Sequence, residues 1–175
     1  ARTIAAQLSA LNEERRAIEA AVQEAAEAQL ASQHNRTVAV LAGSGWHPGV
    51  IGIVAGRIKE KAGRPALVIA LDADEAGHGK GSGRSIAGVD LGAALIAARE
   101  AGFLVAGGGH AMACGLTIAP DRLTALADFL DQRLGAAVAA AQAGQTLPLD
   151  LAVAPGGLVP ALVETLESAG PYGMG

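Results

Sequence analysis

Three short stretches of this chain carry the residue types that hold anions. The first is Gly107-Gly108-Gly109-His110-Ala111-Met112-Ala113-Cys114-Gly115. Consecutive glycines bring no side chain to a core and lose the most backbone entropy on folding, but they leave bare N–H groups that a ligand can approach. Gly107, Gly108 and Gly109 therefore read as a loop suited to a phosphate or another anion, with the imidazole of His110 at its rim. A flexible turn with a surface histidine is the alternative on the loop alone. The second stretch, Gly81-Ser82-Gly83-Arg84-Ser85-Ile86, reads as a strand. Side chains two apart on a strand share a face, so Ser82 and Arg84 point the same way. The planar fork of Arg84 suits two-point contact with a phosphate, and the glycines around it read as space for a ligand. The competing reading pairs Arg84 with an acid such as Asp72 or Asp90.

The third stretch is Gly43-Ser44-Gly45-Trp46-His47-Pro48-Gly49. It joins a short apolar strand, Thr37 to Ala42, to a helix from about Gly49 to Lys61. Such a turn aims free N–H groups at an anion. Its spacing departs from the dinucleotide fingerprint G-x-G-x-x-G. His47 is the polar side chain best placed at the helix start, with a hydrogen bond inside the loop as its alternative. Trp46 either covers the core or stacks on a base, and for a lone tryptophan the core is favoured.

Other chemistries are poorly served. Asp72, Asp74 and His78 lie in a polar stretch whose spacing fits no calcium loop and which reads as a solvated hairpin turn. Gly79-Lys80-Gly81-Ser82 fails as a phosphate-binding P-loop, because Ser or Thr does not follow the lysine directly. No dense array of carboxylates and histidines offers itself to a metal ion, so no metal ligand is assigned.

The elements that must position these residues follow from periodicity. Residues 1 to about 33 read as a long helix with an apolar stripe of Ile4, Leu8, Leu11, Ile18, Val22 and Leu30. Glu13, Glu14, Arg15, Arg16, Glu19, Glu24 and Glu27 fall on the other face. Pro65 to Leu71, apolar throughout, reads as a buried central strand. Asp90 is placed to cap a helix from Leu91 to about Ala101 with Leu91, Leu95 and Ala98 inward. Leu116 to Ile118 closes the sheet. Pro120-Asp121 opens a helix whose buried stripe is Leu123, Leu126, Leu130, Leu134 and Val138. After Gly144 the composition changes, with a strand signal at Leu147 to Leu151 and a short helix from Leu158 to Ser168. The fold class is α/β: a small mixed sheet of four or five strands with helices on both faces, preceded by a long connector helix. The turn at 72–80 makes one hairpin, so the sheet is not all parallel.

The 175 residues are 51% hydrophobic, which specifies a globular chain. A net charge of −4 argues against a broad basic binding face, so any nucleic-acid contact is confined to a few donors at one cleft. The single cysteine, Cys114, excludes an internal disulfide and fits a reducing cytoplasm. There is no run of about 18 apolar residues and no signal-peptide pattern, so no membrane partner is expected.

The three stretches, in this order and at this spacing, resemble the DHH-associated domain of the RecJ family between about Val38 and Ile118. The quoted residues are Trp46-His47-Pro48-Gly49-Val50-Ile51-Gly52-Ile53-Val54-Ala55, Gly81-Ser82-Gly83-Arg84-Ser85 and the glycine–histidine stretch. The family's members are single-strand-specific 5′→3′ DNA exonucleases. The resemblance implies three parts: residues 1–36 as a connector from a metal-bearing catalytic domain, 37–144 as the substrate-binding domain, and 145–175 as the entry to an oligonucleotide-binding fold. The ending Gly170-Pro171-Tyr172-Gly173-Met174-Gly175 looks like a family turn. The expected partners are single-stranded DNA, other domains of the same chain and DNA-repair proteins. No cofactor is expected on this chain; Mn2+ or Mg2+ belongs to the catalytic domain, expected upstream. The chain alone is expected not to cleave DNA.

The substrate-holding set is then Trp46, His47, Gly49, Ser82, Arg84, Ser85, Gly107, Gly108, Gly109 and His110. The resemblance implies that His110 assists catalysis by contacting phosphate near the scissile bond. Three alternatives stand beside this reading: an oligoribonuclease or nucleotide phosphatase of the same superfamily, a non-catalytic anion-binding module, and a structural role for the alanine-rich helices.

Overall fold

The computed structural model describes residues 2–144 and 152–170. They belong to two units, one within residues 1–144 and one within 145–175. The first holds a five-stranded sheet in the order β1-β2-β3-β5-β4. Its strands are β1 (Ala39–Ser44), β2 (Ala66–Leu71), β3 (Gly79–Arg84), β4 (Ala106–His110) and β5 (Ala113–Ile118). β1 and β2 run parallel, joined by α2 (Ile51–Ala62), and every other pairing is antiparallel. The polar stretch after Leu71 forms the β2–β3 turn and makes the sheet mixed, as its composition implied.

Strand alternation sends side chains to two separate cores. On one face Val40, Leu67, Ile69, Cys114, Leu116 and Ile118 pack under α3 (Leu91–Glu100) and α4 (Leu123–Ala143). On the other face Ala39, Leu41, Ala66, Val68 and Ala70 pack under α2 and α1 (Arg2–Leu30). The small alanines of β1 and β2 let α2 lie close to the sheet. Trp46 fills the end of this second core, its indole pressed onto Gly43, where a β-carbon would sit 2.4 Å from the ring.

Only the second half of α1 docks. Val22 and Ala26 are buried and Ile18 and Leu30 pack beside them, whereas Ile4, Leu8 and Leu11 are exposed. The expected stripe is real, but its first three members find no cover within this unit. Glu19, expected at the solvent face, is instead buried, held by Arg15 of its own helix and Arg57 of α2. Burial of that carboxylate is tolerable because two guanidinium groups meet it.

The outer edge of β1 is closed by side-chain amides. Gln29 donates to the carbonyl of Ala42 at 2.9 Å and accepts its N–H at 3.2 Å; Gln33 does the same for Val40 at 2.7 and 3.0 Å. Each glutamine thus stands in for a residue of a neighbouring strand, which satisfies an edge that would otherwise invite pairing. These bonds also fix α1 against the sheet.

In the second unit a 3-10 turn, Pro155–Gly157, precedes α5 (Pro160–Glu167). The expected strand at Leu147 to Leu151 and the turn at Pro171 to Gly175 lie outside the described residues. Among the described residues, no helix is long and apolar enough to cross a membrane.

Candidate functional site

The sheet register lays out the site. β3 presents Lys80, Ser82 and Arg84 on the face that α2 shares, opposite Ala70, Val68 and Ala66 of β2. Across β5 the same residues oppose Thr117, Gly115 and Ala113, and those in turn oppose Ala106, Gly108 and His110 of β4. Three rows result: Lys80–Thr117–Ala106, Ser82–Gly115–Gly108 and Arg84–Ala113–His110. The middle row is bare backbone beyond Ser82, and the outer rows carry the polar groups.

The start of α2 comes down on this face at Gly52. A β-carbon there would lie 3.2 Å from both Ser82 Oγ and Arg84 Nη2. Val50 precedes the helix and provides no side-chain cap; the Ile53 amide bonds the Val50 carbonyl at 3.0 Å, and the amides of Ile51 and Gly52 are left for another acceptor. Between α2 and the first two rows runs an open groove of about 620 Å3 bordered by Gly49, Gly52, Lys80, Ser82, Gly108 and Thr117.

Arg84 donates to Ser82 Oγ at 3.1 Å and to the carbonyl of Gly83 at 2.8 Å, and among the described residues no carboxylate lies within 4.0 Å of it. Both acids that competed for it are committed elsewhere. Asp72 accepts from Ser44 Oγ at 3.0 Å, and Asp90 caps α3 by accepting the Ala93 amide at 2.9 Å. A half-exposed guanidinium with only neutral partners keeps its charge available for an anion.

The structure corrects four of the expected placements. First, Gly107, Gly108 and Gly109 form a strand, β4, not a loop; pairing with β5 imposes extension that glycine would not choose by itself. Gly109 must be glycine, with φ of +153° and a would-be β-carbon 2.4 Å from the Ala113 carbonyl. Second, Gly81 and Gly83 do not make room for a ligand. They face α3 and α4, where β-carbons would strike Leu116 at 2.7 Å and Cys114 Sγ at 2.4 Å. Third, Ser85 is buried and donates to the Val89 carbonyl at 2.7 Å, so it shapes the turn into α3 and touches no ligand. Fourth, Trp46 is a core residue whose ring is not open for stacking.

His47 remains exposed, but its ring is not part of the groove. Its Nδ1 accepts the Gly49 amide at 3.0 Å, and it borders a separate hollow of about 360 Å3 with Leu11 and Ile18 of α1. That bond leaves Nε2 as the outward atom. Gly49 borders both spaces. His110 is exposed at the end of β4. Its backbone is pinned: α3 reaches it at Gly92, where a β-carbon would be 2.7 Å from the His110 carbonyl. The following turn is held by bonds from the Leu91 amide to Ala111 O and from the Ser85 amide to Met112 O, at 3.1 and 3.0 Å.

Lys80 and Thr117 were missed. Lys80 Nζ donates to Thr117 Oγ1 at 3.1 Å and lies on the groove. Strand alternation held the signal, since Lys80 stands two residues before Ser82. A further cavity of about 530 Å3, between the segment that follows α1, β1 and α4, contains Arg36, but Asp128 and Asp131 neutralise it. Burial pushes the Cys114 thiol up to about 11, so it stays protonated under the sheet. Among the described residues, no three His, Cys, Asp or Glu side chains group as a metal site, so the donors present do not fit a catalytic ion.

Fold and site together define a domain that offers uncompensated cationic and amide donors on an open sheet face. The DHHA1 domain model matches residues 34–136, and the chain belongs to that family. It is 38% identical to the single-stranded-DNA-specific exonuclease RecJ of Dickeya dadantii over 181 residues, covering 99% of this chain and 31% of that protein. To the RecJ of Bacillus subtilis it is 37% identical, over 77% of this chain and 17% of that protein. The structure is similar to RecJ of Thermus thermophilus in complex with Mn2+, with a TM-score of 0.61 and 31% identity, over 96% of this chain and 24% of that one. The chain thus spans a third or less of the length of these relatives.

Proposed function

We propose that this domain holds the phosphate backbone, including the 5′ end, of single-stranded DNA for an exonuclease whose hydrolytic metal ions are bound by another domain. The observation that carries the reading is the Ser82–Arg84 pair. It is a guanidinium and a hydroxyl on one strand face, free of any acidic partner, beneath the uncapped start of α2. Arg84 and Ser82 together meet two oxygens of one phosphate, and the Ile51 and Gly52 amides at the start of α2 meet a third side. The bare middle row, Gly115 and Gly108, lets the strand lie against the sheet without a side chain in its way. His110, two strands from Arg84 in the same row, contacts the phosphate near the scissile bond when the catalytic domain closes on this one. His47 stands outside this groove, beside the hollow against α1, with Nε2 able to donate.

Metal ions held by that other domain would activate the attacking water, so this chain alone is expected not to cleave DNA. The protein works in the cytoplasm, in DNA repair and recombination. The test is fluorescence anisotropy with a 5′-phosphorylated single-stranded oligonucleotide at low and moderate salt. The wild type binds, salt weakens it, and Arg84→Ala loses roughly tenfold or more, with a shallower salt dependence because one phosphate contact is gone. His110→Ala weakens binding less. Equal binding by all three proteins would overturn the assignment.

A further inference from the structure

Resting on that reading, we propose that Lys80, steadied by Thr117, is a second phosphate subsite that engages the strand downstream of the nucleotide held at Ser82 and Arg84. The geometry comes from the rows of the sheet. Neighbouring rows are about 7 Å apart along a strand, so Lys80 and Arg84 are separated by about 14 Å on one face. A ligand wide enough for one phosphate reaches one of them; an extended strand lying across the rows reaches both. Lys80, Ser82 and Thr117 border one groove, and in Ser82's row it meets only glycine beyond the serine, Gly115 on β5 and Gly108 on β4.

Lys80 is equipped for this. It is exposed, and among the described residues no carboxylate lies within 4.0 Å of its ammonium group. Most other cations of this unit that border a cavity are paired, Arg36 with Asp128 and Asp131 and Arg15 with Glu19. The hydroxyl of Thr117, a residue only 8% exposed, accepts one ammonium proton and fixes the lysine over β5. Two further N–H groups are left for a phosphate.

The test is competition binding to the protein by thymidine 5′-monophosphate and by 5′-phosphorylated thymidylate di-, tetra- and octanucleotides. Wild type, Lys80→Gln, Lys80→Arg and Arg84→Ala are compared. Lys80→Gln leaves the mononucleotide unchanged, weakens the tetra- and octanucleotides about fivefold at low salt, and reduces the octanucleotide's salt slope by about 0.7. Lys80→Arg restores both. Unchanged affinity at every length, or equal weakening at every length including the mononucleotide, overturns the proposal while leaving the Ser82–Arg84 site standing. If Arg84→Ala binds every ligand as the wild type does, or the wild type binds none, the parent reading falls and takes this one with it.

Discussion

On one face of β3 there is no room for a β-carbon at Gly81 or Gly83; on the other, Lys80 and Ser82 line a groove open to solvent, and Arg84 lies beside Ser82 under Gly52 of α2. The first face is crowded because α3 and α4 press Leu91, Leu116 and Cys114 against it. The second is open because α1 packs on β1 and α2 on β2 and β3, leaving the face of β5 and β4 uncovered. Six consecutive residues thus serve packing and binding by turns, with a period of two. The glycines keep the strand flat against the helices, and that close approach holds Lys80 in register with Thr117 and Arg84 in the row that ends at His110.

The largest effect that would break this contrast belongs to Gly83. Gly83→Ala places a methyl group 2.4 Å from Cys114 Sγ and 2.5 Å from Leu67 Cδ2. Both neighbours are buried and cannot swing away, so overpacking costs about 2–3 kcal/mol of stability. Urea denaturation measures it. A variant as stable as the wild type would mean that the crowded face yields, and that these glycines serve the ligand after all.

A sharper version compares two serines three residues apart. Ser85→Ala removes the hydroxyl that satisfies the buried Val89 carbonyl and costs about 1–2 kcal/mol of stability, with no change in oligonucleotide affinity once folded. Ser82→Ala changes stability by no more than about 0.5 kcal/mol, because the site is open, but weakens binding of a 5′-phosphorylated strand. Should the two variants exchange these phenotypes, the assignment of faces is wrong. Cys114 offers a check without mutation. Its buried, protonated thiol resists alkylation at neutral pH in the folded protein and reacts only on unfolding.

These faces also explain what could be read from the chain beforehand. The apolar run at β2, the hairpin after it, the Asp90 cap and the stripe of α4 were legible because each is a local pattern. Arg84 and Ser82 were legible as a pair through strand alternation. Lys80 follows from the same alternation, yet the P-loop comparison drew attention to its neighbours in sequence and away from its place on the strand. The glycines of β4 misled for a different reason. Their extension is imposed by β5 and by α3 closing at Gly92, contacts distant in sequence that no local propensity encodes. Glu19 was hidden because its two arginine partners come from different helices.

The smallest expected effect concerns what keeps the two faces from trading places. A slip of one residue in the β2–β3 pairing would turn Lys80, Ser82 and Arg84 toward α3 and the glycines toward the groove. The turn guards against this through Asp74, which accepts the His78 amide at 2.8 Å, the Ala76 amide at 3.1 Å and the His78 ring at 3.1 Å. The His78 amide, ahead of the ring and the Ala76 amide, holds the Asp74 carboxyl below the usual carboxylate range. The unfolded value is about 3.9, so a depressed folded value contributes stability that is present above that pH. It is lost as pH falls through the folded value, where the carboxyl protonates in both states. Asp74→Asn therefore lowers the denaturation midpoint slightly at pH 7, and the gap to wild type closes as the pH drops below about 4. A gap that stays constant into acid would show that Asp74 shapes the turn without its charge. Register would then rest on the apolar partners of β2 and the crowded glycines of β3 alone.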